Sequence, residues 1–456
     1  MSISRDSVIR TIRDNQIRLL SVQYVDLGGI SRAKARAADE IEDFLDNGVG
    51  FAKGNFGLTA HDTLAGDPTY TFASGEAKLV PDIETFAVPP YANRIARFIG
   101  ELKNADDTYW DMCPRHAFRS LLTRVEDMGY RFAGGAEMEF SIVRREGDRV
   151  VPWISAAIQS QRGLEAGEDL LNEIAQDVEA MNLKVIKVHA EGGGSSGGHF
   201  EMDLHHQYGV KCADDVATFR DVAKAVADKR GLIATFLAKV GDEFTGSGMH
   251  LHSSLNDIKT GKNLFADPKD DRKLGLSQMC YYFIGGILEH TRGLAAAVAS
   301  NVNSYKRLIF PGHWAADGVF YASGHRGAAV RIPQIAGKFE SAHVEFRVPD
   351  PACNPYIAFA CILAAGMDGI GRKIEPGDPL SIDVSRLSRA ERASRGIKPL
   401  PKSLFEAIQE FSHDKVFESA LGKSLFEEYV NIKLAEWEDY SSRVTPWETT
   451  RLIDFH

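Results

Sequence analysis

"YRFAGGAEMEFSIV", Tyr130 to Val143, decides how this chain organises its chemistry. Its aromatic and aliphatic residues predict a strand, and Glu137 and Glu139, two residues apart, then point to the same side of one sheet. Two aligned carboxylates in apolar sequence are costly unless something positive binds them. An exposed, charged strand face is the alternative. "LKVIKVHA" and "SAHVEFRVPD" are further strand-like pieces, and helical ones such as Asp215 to Arg230 alternate with them, which points to an α+β catalytic unit.

Towards the N-terminus, Phe118, Leu121, Leu122, Val125 and Met128 make a helical apolar stripe, and the polar, proline-containing "DDTYWDMCPR" before it marks a domain boundary. The expected division is 1–109, small and strand-rich, and 110–456, the catalytic part. Val8, Ile9 and Ile12 predict a short opening helix, and "RLLSVQYVD" and "RAKARA" a hairpin joined by "LGGIS". Past about Pro401 the chain reads as a charged, helical subdomain that wraps the surface.

At 456 residues, with 44% hydrophobic and 25% charged residues, the chain can bury one large core or two unequal ones. The formal charge of -10 is dispersed and leaves no basic face for nucleic acid. Five cysteines form no CxxC pair, so neither a zinc knot nor a disulfide framework is expected. No signal-peptide core or membrane-length apolar run is present, so a reduced, cytoplasmic setting without a membrane span is expected.

Further carboxylates and histidines join the first pair. Glu191 and Glu201 flank the glycine-rich "EGGGSSGGHFE"; "GSGMHLH" sets His250 and His252 on one side of a strand; "HVEFRVPD" does the same for Glu345 and Arg347. Hard oxygen ligands with one or two imidazoles suit Mg²⁺ or Mn²⁺ rather than structural zinc. Arg307, Arg326, Arg331 and Arg347 lie in apolar or glycine-rich sequence, where a guanidinium needs an anion such as carboxylate or phosphate, or else a structural ion pair. Divalent metal with several arginines is the equipment of phosphoryl transfer. No GxxxxGK[ST] motif is present, so a nucleotide must be held by other means.

"GGAEMEF", "TGSGMHLHSSL", "NVNSYKRL", "GHRGAAVRIP" and "VEFRVPDPACNPYIAFACILAAGMDGI", in this order, closely resemble the glutamine synthetase superfamily, in character nearest its γ-glutamylamide synthetases. The resemblance runs from about Cys113 to Gly369 and more faintly to both ends. It implies an N-terminal β-grasp domain, a large catalytic domain, and a homo-oligomer of stacked rings, a dodecamer or decamer, with active sites between subunits. It also implies ATP, L-glutamate and a small amine as substrates: ATP phosphorylates the glutamate side chain, and the amine attacks the γ-glutamyl phosphate. On the family's pattern Glu139, Glu191 and Glu201 would hold one metal, and Glu137, His250 and Glu345 the other. Arg307 and Arg347 would grip glutamate, Arg326 and Arg331 would steady the transferring phosphate, and His252 and Ser254 would neighbour the nucleotide. Gly246 and Gly248 would bring backbone close to glutamate, with Thr245 replacing the family's usual asparagine.

Two departures bear on the amine. In "YKRLIFPGHWAADG", Trp314 falls where ordinary glutamine synthetases carry a glutamate that helps bind and deprotonate ammonium, and Asp317 lies three residues on. The stretch "GVGFAKGNFG" has Ala52 and Lys53 where the family's "FDGSS" loop brings an aspartate. A site without those carboxylates handles a small cation badly. The expected acceptor is therefore a primary amine other than ammonia, with hydrophobic or aromatic amines favoured over polyamines, for which Asp62 and Asp67 would be the acidic partners. Ordinary glutamine synthesis, with Asp317 or Glu340 as substitute base, is the first alternative. A catalytically inactive structural or regulatory member is the second, opposed by the intact metal-ligand pattern. The segment "PLSIDVSRLSRAERASRG" lacks a tyrosine, so adenylylation of the kind some bacterial members undergo is not expected.

Overall fold

The computed structural model describes residues 3–192, 197–309, 315–334 and 337–455. The first sheet contains β1 (Leu19–Val25), β2 (Ser31–Ala37), β3 (Val49–Ala52), β4 (Glu76–Pro81) and β5 (Ile95–Lys103), in the order β2-β1-β5-β4-β3. β1 and β2 form the expected antiparallel hairpin, whereas β1 and β5 pair in parallel, Leu19 opposite Ile95. A parallel pair needs a crossover, and the connection between them carries the helix Ile41–Asn47, giving the mixed sheet with a packed helix that a β-grasp requires. Leu20 and Val22 of β1 are fully buried. β2 is one of the two edge strands, and its Arg32, Lys34 and Arg36 supply the charge that keeps such an edge from pairing further.

The second sheet contains β6 (Tyr130–Glu146), β7 (Arg149–Pro152), β8 (Val185–Ala190), β9 (His199–Leu204), β10 (Gln207–Tyr208), β11 (Ile233–Thr235), β12 (Met249–Asp257), β13 (Gly318–Ser323), β14 (Ala328–Ile332) and β15 (Val344–Phe346). Its main path is β13-β14-β15-β12-β6-β9-β8, with β7, β10 and β11 also paired to β6. The α+β class expected from the sequence is the observed one. Helices Gln278–Val298 and Pro355–Arg372 pack on each other behind this sheet.

The long helix begins at Asn354, whose side chain accepts from the Tyr356 and Ile357 amides at 3.0 and 3.1 Å. The same side chain donates to the Asp26 carbonyl at 2.9 Å and so ties the helix start to the end of β1. Arg115 makes a second tie, reaching Asp82, Glu101 and Asp214 at 2.8–3.0 Å while only 3% exposed.

Two local expectations change. The helix carrying the apolar stripe ends at Asp127, so Phe118, Leu121, Leu122 and Val125 are buried but Met128 is 62% exposed. The helical tail does more than wrap the surface: Leu404, Phe411, Phe417, Leu425 and Tyr429 enter the main core, and the Tyr429 hydroxyl donates to the Ala296 carbonyl at 2.8 Å. The five cysteines are buried and unpaired. Among the described residues no helix is long and apolar enough to cross a membrane.

Candidate active site

Register decides which side chains meet on the second sheet. Glu137 stands opposite His250 on β12 and Asp203 on β9; Glu139 stands opposite Glu201; His252 stands opposite Glu345. On β8, Lys187 faces Asp203 and His189 faces Glu201. Cross-strand partners share a face, so alternate residues of five strands (β8, β9, β6, β12, β15) form one titratable surface.

Glu137, His250 and Glu345 place ligand atoms within 4.8 Å of one another. His250 Nδ1 lies 2.7 Å from Glu137 and 3.6 Å from Glu345, and His252 Nε2 lies 3.3 Å from Glu137. Burial alone would raise the Glu137 carboxyl, but its hydrogen bonds with His250 and His252 outweigh this and hold it well below the usual carboxylate range. Glu345 is completely buried and held at about 2: burial opposes ionisation, and the charges of His250, Arg347 and His252 overcome it. Arg347 and Arg331 each bond one of its oxygens. A carboxylate has about four lone-pair sites, so both guanidiniums can stay while Glu345 ligates a cation.

Of the second expected set, Glu191 and Glu201 come together, with His189 as the third residue within 4.8 Å of them. Glu139 instead accepts from the Gly248 amide at 2.7 Å and lies 3.6 Å from His199 Nε2 and 3.8 Å from His250 Nε2. His199 is 1% exposed and its pKa is lowered chiefly by burial, so it is neutral at pH 7. The sequence reading missed His189, Lys187 and Asp203. The signal was available: Lys187, His189 and Glu191 alternate, as do Glu201 and Asp203.

This surface separates two chambers. The first has a cavity volume of about 40 Å³; Glu139, Glu191, Thr245, Gly246, His250, Arg307, Arg326 and Arg347 all line it. The second, about 400 Å³, is lined in part by Glu137, Asp203, His252, Ser254 and Arg331. Arg326 and Arg331, expected to steady one phosphate, thus line different chambers. Arg307 is 7% exposed and donates to the backbone carbonyls of Val348, Pro349 and Arg347 at 3.0–3.2 Å. Gly246 and Gly248 make room for it: a Cβ would stand 2.9 Å from Arg307 Cγ at the first and 2.6 Å from Arg307 Nη2 at the second.

The donor set fits divalent cations. Glu201 is pushed up to about 10 by burial, then by the charges of Glu137 and Glu139. Without a cation, then, the cluster does not ionise all its carboxylates. His189 Nδ1 is buried without a hydrogen-bond partner among the described residues, and its Nε2 lies 3.2 Å from Glu191 Oε2. Oxygen donors with one imidazole per set are the ligands hard divalent ions accept.

Of the residues expected at the amine entrance, Trp314 lies outside the described residues. Lys53 donates to Asn104 at 3.1 Å and lies over the Trp110 ring. Asp62, a suggested polyamine partner, is bonded by Arg32 at 2.6 Å. Asp317 has an 8% exposed side chain 3.5 Å from Arg392, and Glu340 lines the second chamber, away from the glutamate-side arginines.

The glutamine synthetase catalytic domain matches residues 111–452 and the glutamine synthetase N-terminal domain residues 4–110. Glutamine synthetase of Methanocaldococcus jannaschii is 32% identical over 471 aligned positions, covering 99% of each chain, and that of Thermotoga maritima is 33% identical, covering 98% of this chain and 99% of its own. A solved GmaS/ADP complex superposes with a TM-score of 0.87 at 30% identity, covering 98% of this chain and 99% of the other. A novel glutamine synthase homolog superposes at 0.81 with 28% identity, covering 94% and 96%. With both domains matched in order and across nearly its whole length, the chain is a member of the glutamine synthetase family, an ATP-dependent ligase family that uses glutamate and a divalent metal.

Proposed function

We propose that this ligase joins a primary amine other than ammonia to the γ-carboxyl of L-glutamate. The reading is carried by one contrast: the activation face is rich in carboxylates, histidines and arginines, while the acidic groups available for an ammonium ion are replaced in sequence or engaged elsewhere. Trp314 and Ala52–Lys53 stand at the family's acidic positions, Asp62 is bonded by Arg32, and Asp317 lies 3.5 Å from Arg392. The GmaS likeness supports it, since GmaS is a γ-glutamylmethylamide synthetase. Residues 1–109 act as the β-grasp domain and 110–456 as the catalytic domain, assembled as stacked rings of ten or twelve subunits.

Glutamate occupies the first chamber and ATP the second. Arg307 and Arg347 offset the charge of glutamate and of its phosphorylated carboxyl; Arg326 faces the transferring phosphate from the glutamate side and Arg331 from the nucleotide side. His252 and Ser254 border the nucleotide. Glu137, His250 and Glu345 would hold one divalent ion, and Glu139, Glu191 and Glu201 would hold the other, with His189 beside Glu191 and Glu201. Mg²⁺ or Mn²⁺ bound there supplies Lewis-acid charge for the phosphates. A γ-carboxylate oxygen attacks the terminal phosphorus, releasing ADP; the amine nitrogen then attacks the acyl carbon, phosphate leaves, and nitrogen loses one proton. An aromatic amine arrives neutral at pH 7, and a hydrophobic one gains about 25 cal/mol per Å² buried against apolar side chains.

Purified protein with ATP, Mg²⁺ and L-glutamate, offered ammonia, methylamine, isopropylamine, ethanolamine, putrescine or aniline separately, should yield a γ-glutamyl adduct of a substituted amine by mass spectrometry. Efficient glutamine formation from ammonia would overturn the reading. Trp314→Glu should raise the ammonia-to-amine ratio of kcat/KM by about tenfold or more; an unchanged ratio would remove Trp314 from the acceptor site. Glutamine synthesis is the second reading, favoured by the activity of the curated relatives.

A further inference from the structure

Lys187 enters the acidic surface from β8, directly opposite Asp203. Its Nζ lies 2.7 Å from Asp203 Oδ2 and 3.2 Å from Glu201 Oε1, and its side chain is half exposed. Glu137, Glu201 and Asp203 form a third group of oxygens within 4.8 Å of one another. That group shares Glu137 with one metal set and Glu201 with the other, so it lies between them. Asp203 Oδ1 is buried and lacks a hydrogen-bond partner among the described residues, which leaves it available to a further cation.

We propose that Lys187 is a built-in cation: its ammonium takes the position that a third divalent ion would otherwise occupy between the two metal sets. This rests on the two-metal reading above. Three carboxylates in one sphere attract a dication strongly, but an ammonium ion-paired with two of them repels it and takes its place beside their oxygens. Being tethered, this charge does not exchange with solvent, and it leaves the number of bound ions independent of the metal concentration that a third, weaker site would follow.

The test counts bound Mn²⁺ per chain by equilibrium dialysis with metal analysis, using assembled full-length protein without nucleotide. Lys187→Met should bind one ion more than the native protein. Lys187→Gln, run in parallel so that a folding failure of one variant does not void the test, should show the same increment. Lys187→Arg, which keeps the charge, and Lys187→Met combined with Asp203→Asn, which removes a ligand, should both return to the native number. Absence of the increment in variants with native circular dichroism and sedimentation would overturn the proposal. A native count other than two with the increment retained would revise the two-set assignment and still support the role of Lys187.

Discussion

At the residue scale, the absence of a side chain at Gly248 is as consequential as any charged group. Its missing Cβ leaves space for Arg307 Nη2, which would be 2.6 Å away, and for Glu139 Oε1, at 3.1 Å. Arg307 is pinned by three carbonyls and has little freedom to retreat. Gly248→Ala is expected to lower kcat/KM for glutamate by about a hundredfold through displacement of the guanidinium, with the fold retained; unchanged kinetics would show that Arg307 does not act on glutamate. Sequence reading reached Glu137, His250 and Glu345 because each sits in a motif with strand alternation. It did not reach His189, which joins Glu191 and Glu201, because an intrastrand pattern reveals a face but not which strand lies opposite. That pairing is set by register between β8 and β9, which contains an irregularity between Val185 and Lys187.

At the scale of elements, helices Gln278–Val298 and Pro355–Arg372 approach so closely that their glycines are contact surfaces. A Cβ at Gly286 would lie 2.0 Å from the Ala365 carbonyl oxygen, and one at Gly366 would lie 2.0 Å from the Phe283 ring. Gly286→Ala must push backbone from backbone and is expected to cost about 3 kcal/mol or more, read from the urea midpoint. Gly371, in the same helix as Gly366, has open space around its Cβ position. Gly371→Ala should be neutral or stabilising by up to about 1 kcal/mol, and equal losses at both positions would refute the packing explanation. The helical pattern of this segment was legible; the need for glycine came only from its partner helix.

At the scale of the molecule, buried ionic ties hold distant segments together. Arg115 joins carboxylates from the first sheet's region, Asp82 and Glu101, to Asp214 of the catalytic core. Arg115→Met leaves them unneutralised and is expected to cost about 3–5 kcal/mol in denaturant unfolding; a loss within experimental error would mean that solvent reaches them. His290 bridges Asp368 and Asp414 at 3.0 and 2.6 Å, linking the core helix pair to the tail. Burial would lower its pKa, but the hydrogen bonds and charges of both aspartates outweigh this and raise it. Its stabilisation is therefore complete below the unfolded value of about 6.5 and is lost as pH rises through the raised folded value. The advantage of the native protein over His290→Gln in thermal unfolding should shrink as pH rises above about 6.5; a constant difference would exclude the linkage.

The amino-acid order by itself determined the α+β class, the opening helix and hairpin, the family's motifs and the departures at the amine positions, because strand alternation, helical spacing and residue type are local properties. Only the tertiary structure decided that Lys187, His189 and Asp203 join the acidic surface, that Arg326 and Arg331 open on different chambers, and that Asp62 and Asp317 lie beside arginines. Each of those outcomes depends on which strands and loops lie side by side, and cross-strand register and long-range ion pairing are settled by packing of the whole chain.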